Sequence, residues 1–425
     1  MIIHVVQPGE TINAIADNYG ISVDRLILEN EFVDPYKLVV GQTIVIVYPK
    51  QIYIVKEGDT LAGIADAEGT TLMELLRNNP YLSDRESLYI GETIVISYDE
   101  NKTMKMSTNG YAYPFIEINT LKKTLPFLTY LTVFTYSITA EGELNDLDDK
   151  KLIQLAKEYG VAPIMLISTL SESGTIEPNI AHTILNSEEL QNRLVDNVLI
   201  KLKEKGYYGL NLDSQYVLPS DRQLYDDFTT KMTTRLNSEG FKVEVTITPS
   251  AFELVTRTLY QGIDYAGLGQ AANGVMIIHY AWGQTYEISI VAMSFDMTKS
   301  LLDYAITKIP PEKISVGITS IGYIYQLPYI TCVSSVQSIS HENAMQLARE
   351  VDATILYNET SEASYFYAGE NDEYLVWFKD ARSLDNIIKL VPEYGLQGIG
   401  IWNIMYYLAP MFLIINSQYE IEKVI

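Results

Sequence analysis

The sequence predicts an α/β protein: a (β/α)8 barrel with an inserted α+β subdomain, preceded by two small βααβ modules. Three observations predict it. The first 97 residues contain an internal repeat; eight apolar β-type runs then alternate with amphipathic helical runs over about 315 residues; one interval between those runs is too long for a single helix. The bulk composition agrees. The chain has 425 residues, 47% apolar and 20% charged, which suits more than one globular domain.

The repeat comes first along the chain. "HVVQPGETINAIADNYGISVDRLILEN" (His4 to Asn30) aligns without gaps to "YIVKEGDTLAGIADAEGTTLMELLRNN" (Tyr53 to Asn79). Each copy opens on a short β run and continues into apolar residues at helical spacing, with Thr11 or Thr60 placed as an N-cap. A second helical run reaches Leu26 or Leu75, and "GQTIVIV" or "GETIVIS" closes the unit as a strand. The module boundaries fall at 1–48 and 50–98.

The "V-x-x-G-E/D-T" opening and the "N…L-x-x-G-x-T-I-x-I" close resemble LysM modules. That resemblance implies N-acetylglucosamine binding in a groove between the first β–α loop and the loop after the second helix. Carried over, the grooves use Gly9, Glu10 and Thr11 with Asn30 onward, and Gly58, Asp59 and Thr60 with Asn79 onward. Backbone N–H groups at a helix start suit neutral acetamides. Gly9 and Thr11 also have a purely local reading, as a turn and a cap.

Residues 99–108 are polar and without period, and the linker is expected there, with the barrel over 109–425. Its strands are read in "GYAYPFI", "YLTVFTYSI", "VAPIMLIS", "GLNLD", "KVEVTIT", "GVMIIHY", "ISVGITSI" and "GIGIWNI". The long interval, about residues 340–385, contains alternating runs and is expected to be the α+β insertion between strands seven and eight.

In such barrels chemistry sits at the C-terminal strand ends. The fourth strand, "GLNLDSQ", places Asn211, Asp213 and Gln215 on one face by its period of two. Polar side chains in a row on the inner face are costly to bury unless paired, which marks a site.

With the "HYAWG" and "GIGIWN" segments this stretch resembles the family-18 glycoside hydrolases, in the branch of bacterial spore cortex-lytic N-acetylglucosaminidases. The family signature, Asp-x-x-Asp-x-Asp-x-Glu, falls on Tyr208, Asn211, Asp213 and Gln215. The resemblance implies substrate-assisted hydrolysis, in which a glutamic acid protonates the leaving oxygen and the sugar's own acetamide attacks the anomeric carbon. Asp213 would orient that acetamide, Tyr280 would assist, and Trp402 would floor the pocket, with Trp282 and Tyr208 as further substrate contacts. The acid itself is missing: Gln215 can hold the glycosidic oxygen and cannot protonate it. Ser214 and Ala281 also depart from the family pattern. The expectation is a binding protein with a disabled site. The alternatives are an active N-acetylglucosaminidase acting in spore germination, rescued by a loop carboxylate such as Glu141 or Glu287, and a coat-assembly protein, which the 32 tyrosines would suit.

Partners are expected to be peptidoglycan or chitin-like oligosaccharides. A net charge of −24 repels nucleic acid and anionic membranes. One cysteine, Cys332, excludes an intramolecular disulfide, and four scattered histidines lack metal-ligand spacing, so neither a metal nor a cofactor is expected. No apolar run is long enough to span a bilayer. The N-terminal stretch lacks a secretory pattern, so synthesis in the cytoplasm and deposition on the spore or cell wall is the expectation.

Overall fold

The computed structural model describes the chain except for residues 86, 100–101, 103, 171–177, 214–216, 250–262, 279–294, 331–333 and 335. In the first module β1 (Ile2–Val5) pairs antiparallel with β2 (Thr43–Ile46) around α1 (Ile12–Tyr19) and α2 (Val23–Asn30). The second repeats the plan with β3 (Pro49–Ile54), α3 (Leu61–Glu68), α4 (Leu72–Asn78) and β4 (Thr93–Tyr98). The caps lie where the sequence puts them. Thr11 Oγ1 accepts from Ala14 N at 3.2 Å, Thr60 Oγ1 accepts from Gly63 N at 3.1 Å, and the helices stop at Gly20 and Gly69 in the left-handed region.

Alternation in β2 explains how the first module attaches. Ile44 and Ile46 face its own core, while Val45 and Val47 point the other way into the barrel's core. Hydrogen bonds complete the docking. Ile355 N donates to Val40 O at 2.8 Å, Ala381 N to Thr43 Oγ1 at 3.2 Å, Arg77 Nη1 to Pro126 O at 3.2 Å, and Asn416 Nδ2 to Asn78 Oδ1 at 2.8 Å. The modules also grip each other, with Tyr98 OH on Glu29 Oε1 at 3.1 Å.

The barrel runs β5 (Met104–Ala112), β6 (Tyr130–Ser137), β7 (Ala162–Ser168), β8 (Gly209–Asp213), β9 (Lys242–Ile247), β10 (Gly274–Ile277), β11 (Ile314–Thr319) and β17 (Gly398–Trp402). All pair in parallel, and β17 closes on β5. Helices cover the outside, bedded on outward residues such as Leu210, Leu212, Val243, Val245 and Ile247. Two expectations need correcting. The linker is shorter than 99–108, because Met104–Ser107 already belong to β5, pairing with the final strand β18 (Tyr419–Ile421) and with β17. Exposed Lys105 alternates with Met104 and Met106, in a stretch polar enough to read as coil.

The insertion also begins earlier than residue 340. Its antiparallel sheet contains β12 (Ile321–Gln326), β13 (Val336–Ser340), β14 (Leu356–Asn358), β15 (Ala363–Ala368) and β16 (Tyr374–Phe378), backed by a helix over His341–Glu350. Only Ser320 separates β11 from β12, so the sequence reads as one long strand. The helix from Ala381 onward packs in the barrel core and is not part of the insertion. No described helix is long and apolar enough to cross a membrane.

One acid in the helical layer carries a pH prediction. Asp226, on the helix Arg222–Asn237, is buried against Gly267, where a Cβ would sit 2.6 Å from its carboxylate. Burial, aided by the Asp264 charge, pushes its carboxyl up to about 7. A raised folded pKa means that the native state holds the proton more tightly, so stability falls as pH rises from about 4 through 7. Asp226→Asn is therefore expected to stabilise the chain by on the order of 2 kcal/mol at pH 8 and by almost nothing at pH 4. Thermal melts at both values check this; an equal shift at both would contradict it.

Candidate active site at the barrel mouth

Inward-facing side chains form two layers. The lower is polar. Asn211, fully buried, donates from Nδ2 to Glu244 Oε2 at 3.1 Å and accepts from Thr246 Oγ1 at 2.8 Å. On the far side Asn109 Nδ2 reaches the same carboxylate oxygen at 3.5 Å, and Asn109 Oδ1 accepts from Thr132 Oγ1 at 2.8 Å. Five side chains from four strands thus make one chain of hydrogen bonds across the barrel. Burial raises the Glu244 carboxyl pKa, opposed by the two amides. Glu244 is not among the residues expected from the sequence; its signal is a lone acid inside the apolar run "KVEVTIT".

The upper layer is aromatic. Trp402, at the end of β17, meets Phe134 at 4.9 Å, Tyr113 at 5.8 Å and Tyr111 at 6.2 Å between ring centres, each at about 63–64°. Only 6% of Trp402 is exposed, so it forms a floor rather than an open wall. Phe115 stacks on Tyr113 at 5.2 Å and 20° and is 76% exposed. This accessible ring is a second residue not among those expected from the sequence, though "YAYPFI" carries the signal. Burial raises the Tyr113 phenol pKa, which keeps it a hydroxyl donor. Asp213 ends β8 opposite Thr246 in register, and Thr135 and Ser168 hydroxyls pair at 2.9 Å at the neighbouring strand ends.

Several expected site residues stand elsewhere. Tyr208 precedes β8, at the barrel's opposite end: its N–H donates to Pro163 O at 2.7 Å and its ring lies 6.1 Å from Tyr130. Five residues of strand, about 16 Å, separate it from Asp213. Asn211 is on the inner face as the period requires, but its amide is spent on the lower layer. Gln215, Tyr280 and Trp282 lie outside the described residues, as does Glu287. Glu141 sits in an exposed turn, its carbonyl accepting from Arg193. No described cluster of His, Cys, Asp or Glu could hold a metal ion.

In the modules the polar positions shared by the two repeats are mainly framework. Asn30 gives Nδ2 to Leu26 O and Val45 O and takes Val45 N; Asn79 does the same with Leu75 O, Val95 O and Val95 N. Both are buried and hold helix to strand, so their side-chain amides serve the module framework. Glu10 takes the Gln7 amide and His4, and that amide lowers its pKa first. Asp59 takes the Lys56 amide and Tyr53 OH. Gly9, Thr11, Gly58 and Thr60 remain exposed at the loop surface. The exposed apolar side chains of the opposite loops are Val33 and Tyr36 in one module and Tyr89 and Ile90 in the other.

A closed parallel barrel whose fourth strand ends in an aspartate, with an aromatic layer at the strand ends, is the fold of a glycosidase-type α/β barrel. The chain belongs to the glycosyl hydrolases family 18, whose model matches residues 164–406, and LysM domain models match residues 4–47 and 53–97. It is 28% identical over 428 residues to the "Putative sporulation-specific glycosylase YdhD" of Bacillus subtilis (strain 168), covering 100% of both chains. Against the "Cortical fragment-lytic enzyme" of the same organism it is 29% identical over 433 residues, covering 100% of this chain and 99% of the relative. The crystal structure of the Bacillus megaterium QM B1551 spore cortex-lytic enzyme SleL superposes with a TM-score of 0.80 at 27% identity, covering 100% and 99% of the two chains.

Proposed function

We propose that this protein binds peptidoglycan on spore cortex or coat through its LysM modules and retains a family-18 barrel that does not cleave glycan at an enzyme's rate. One observation carries the reading. The signature segment reads Asn211-Leu212-Asp213-Ser214-Gln215, with glutamine where the family pattern needs a proton donor. An amide of the same shape has no proton to give, and loss of a general acid costs about 10²–10⁴ in rate. What remains at the strand ends, Asp213 on β8 and the aromatic group of Tyr113, Phe115 and Trp402, suits holding an acetamido sugar by hydrogen bonding and stacking. The second reading, an active N-acetylglucosaminidase, is favoured by the full-length likeness to the cortical fragment-lytic enzyme.

One assay decides between them. The full chain is incubated with cortex fragments and with N-acetylglucosamine oligomers, and both sedimented protein and new reducing ends are measured. We expect binding with reducing-end release at least about a hundredfold below an acid-bearing relative. Comparable turnover would overturn the reading. In calorimetric titration with a short oligomer, Phe115→Ala and Asp213→Ala should each weaken binding by about tenfold, since each removes a contact on the order of 1–2 kcal/mol. Unchanged heats in both variants would mean that the mouth no longer recognises sugar.

A further inference from the structure

A cleft of about 520 Å³ opens where both modules, the barrel and the insertion meet. Asp213, Tyr113 and Trp402 do not line it, so it is separate from the mouth floor. Its volume is that of a small-ligand site. Its walls come from residues that directly follow Asn30 and Asn79 in the modules, from the first barrel helix, from the insertion's helix His341–Glu350 and from the loop after β17.

The charges in this cleft are not balanced internally. Lys123 is taken up by an ion pair with Glu31 and lies 4.5 Å from the centre of the Tyr407 ring. Glu117 is used as the cap of the following helix, accepting from Thr120 N at 2.7 Å. Three charged lining residues are left: Asp84 from the second module, and Glu342 and Arg349 from the insertion. Among the described residues, none of these three side chains forms an ion pair or hydrogen bond. Asp84 and Glu342 are exposed lining residues, and both charges raise the Glu31 carboxyl pKa behind burial, its largest cause. Glu342 and Arg349 are seven residues apart on one helix, hence on one face and about 10 Å apart along it. The cleft therefore offers carboxylates at one place and a planar guanidinium, suited to a carboxylate, about two turns away.

We propose that this cleft is a second binding site, and that it takes a short zwitterionic peptide with its ammonium at Asp84 and Glu342 and its carboxylate at Arg349. Neutral acetamido sugars have neither charge. Peptidoglycan stem peptides that end in a diamino acid have both. The biological ligand named here rests on the peptidoglycan reading above, while the cleft's charge chemistry does not. The protein would then recognise glycan through modules and mouth, and peptide through the junction between them.

The test uses the full chain and the peptide N-acetyl-Ala-γ-Glu-Lys, titrated at low salt beside the same peptide acetylated on the lysine side chain. A peptide-free N-acetylglucosamine oligomer is titrated in parallel. The free amine should bind, and acetylation, Glu342→Gln or Arg349→Gln should each weaken it about fivefold or more. The oligomer's binding should not change in either variant. Absence of heat with the free-amine peptide, or equal binding of the acetylated one, overturns the cleft assignment. Failure of the glycan oligomer and of peptidoglycan sedimentation, with peptide binding intact, overturns the peptidoglycan reading and leaves the cleft standing.

Discussion

Deleting residues 1–103 is expected to leave a barrel that does not stay folded. The modules are not tethered beside it; they complete it. Val45 and Val47 are buried in the barrel's core, and their loss uncovers apolar surface on the order of 3–6 kcal/mol. Four hydrogen bonds go with them, from Ile355 N, Ala381 N, Arg77 Nη1 and Asn416 Nδ2. At about 1 kcal/mol each, the total approaches the whole stability of a typical domain. The contact at Gly41 shows how tight the fit is: φ is +86° and a Cβ would lie 2.0 Å from Ile355 O. Calorimetry or circular dichroism on the truncated chain should show aggregation or a melting temperature lower by tens of degrees. Melting within a few degrees of the full chain would refute the docking. One practical result is that glycan binding must be dissected by point substitution, since deletion removes a structural part along with a binding one.

Asn211→Asp is expected to destabilise the chain by about 2–4 kcal/mol at pH 7, through like charges near 3 Å from one another in the barrel interior. The amide now donates to Glu244 at 3.1 Å; a carboxylate there would repel it. The deficit should vanish below the ordinary carboxylate range, where the added group is protonated, and grow as pH rises. Adding Glu244→Gln should recover most of the loss, because acid and amide merely exchange places. This is a double-mutant cycle, read by denaturant unfolding at pH 4 and pH 7. Additive losses in the double variant would show that the two residues do not interact.

All eight barrel strands were legible because apolar runs bounded by turn residues carry their own signal. The two repeats were legible because a β-α-α-β unit must re-use its caps and core positions. What was not legible lay in residues whose neighbours are far away in sequence. Met104–Ser107 look like linker because their pairing residues, Gln397 onward and Tyr419–Ile421, arrive last. Tyr208 fits a signature by spacing, yet it belongs to the barrel's other end. Asn30 and Asn79 look like ligand groups because polar residues in a shared motif suggest binding; only the folded backbone reveals that they close helix onto strand. Glu244 is the reverse case. A lone acid on a buried strand has meaning only once Asn211 and Asn109 stand beside it.

The position of β5 has a consequence for how the chain is made. It leaves the ribosome early, immediately after the modules, but both strands that flank its first half, β17 and β18, lie within the last 28 residues. The modules also dock on Ile355, Ala381 and Asn416, which are synthesised late. The growing chain therefore carries two small domains with bare docking faces, followed by an open row of strands, until β17 and β18 have been made. Closure of the barrel needs β5 to pair with β17 and β18, about 300 residues later in sequence. Such long-range pairing folds slowly and exposes edges meanwhile. A chain stopped short by even its final helix and strand would lack a seam, not merely a tail.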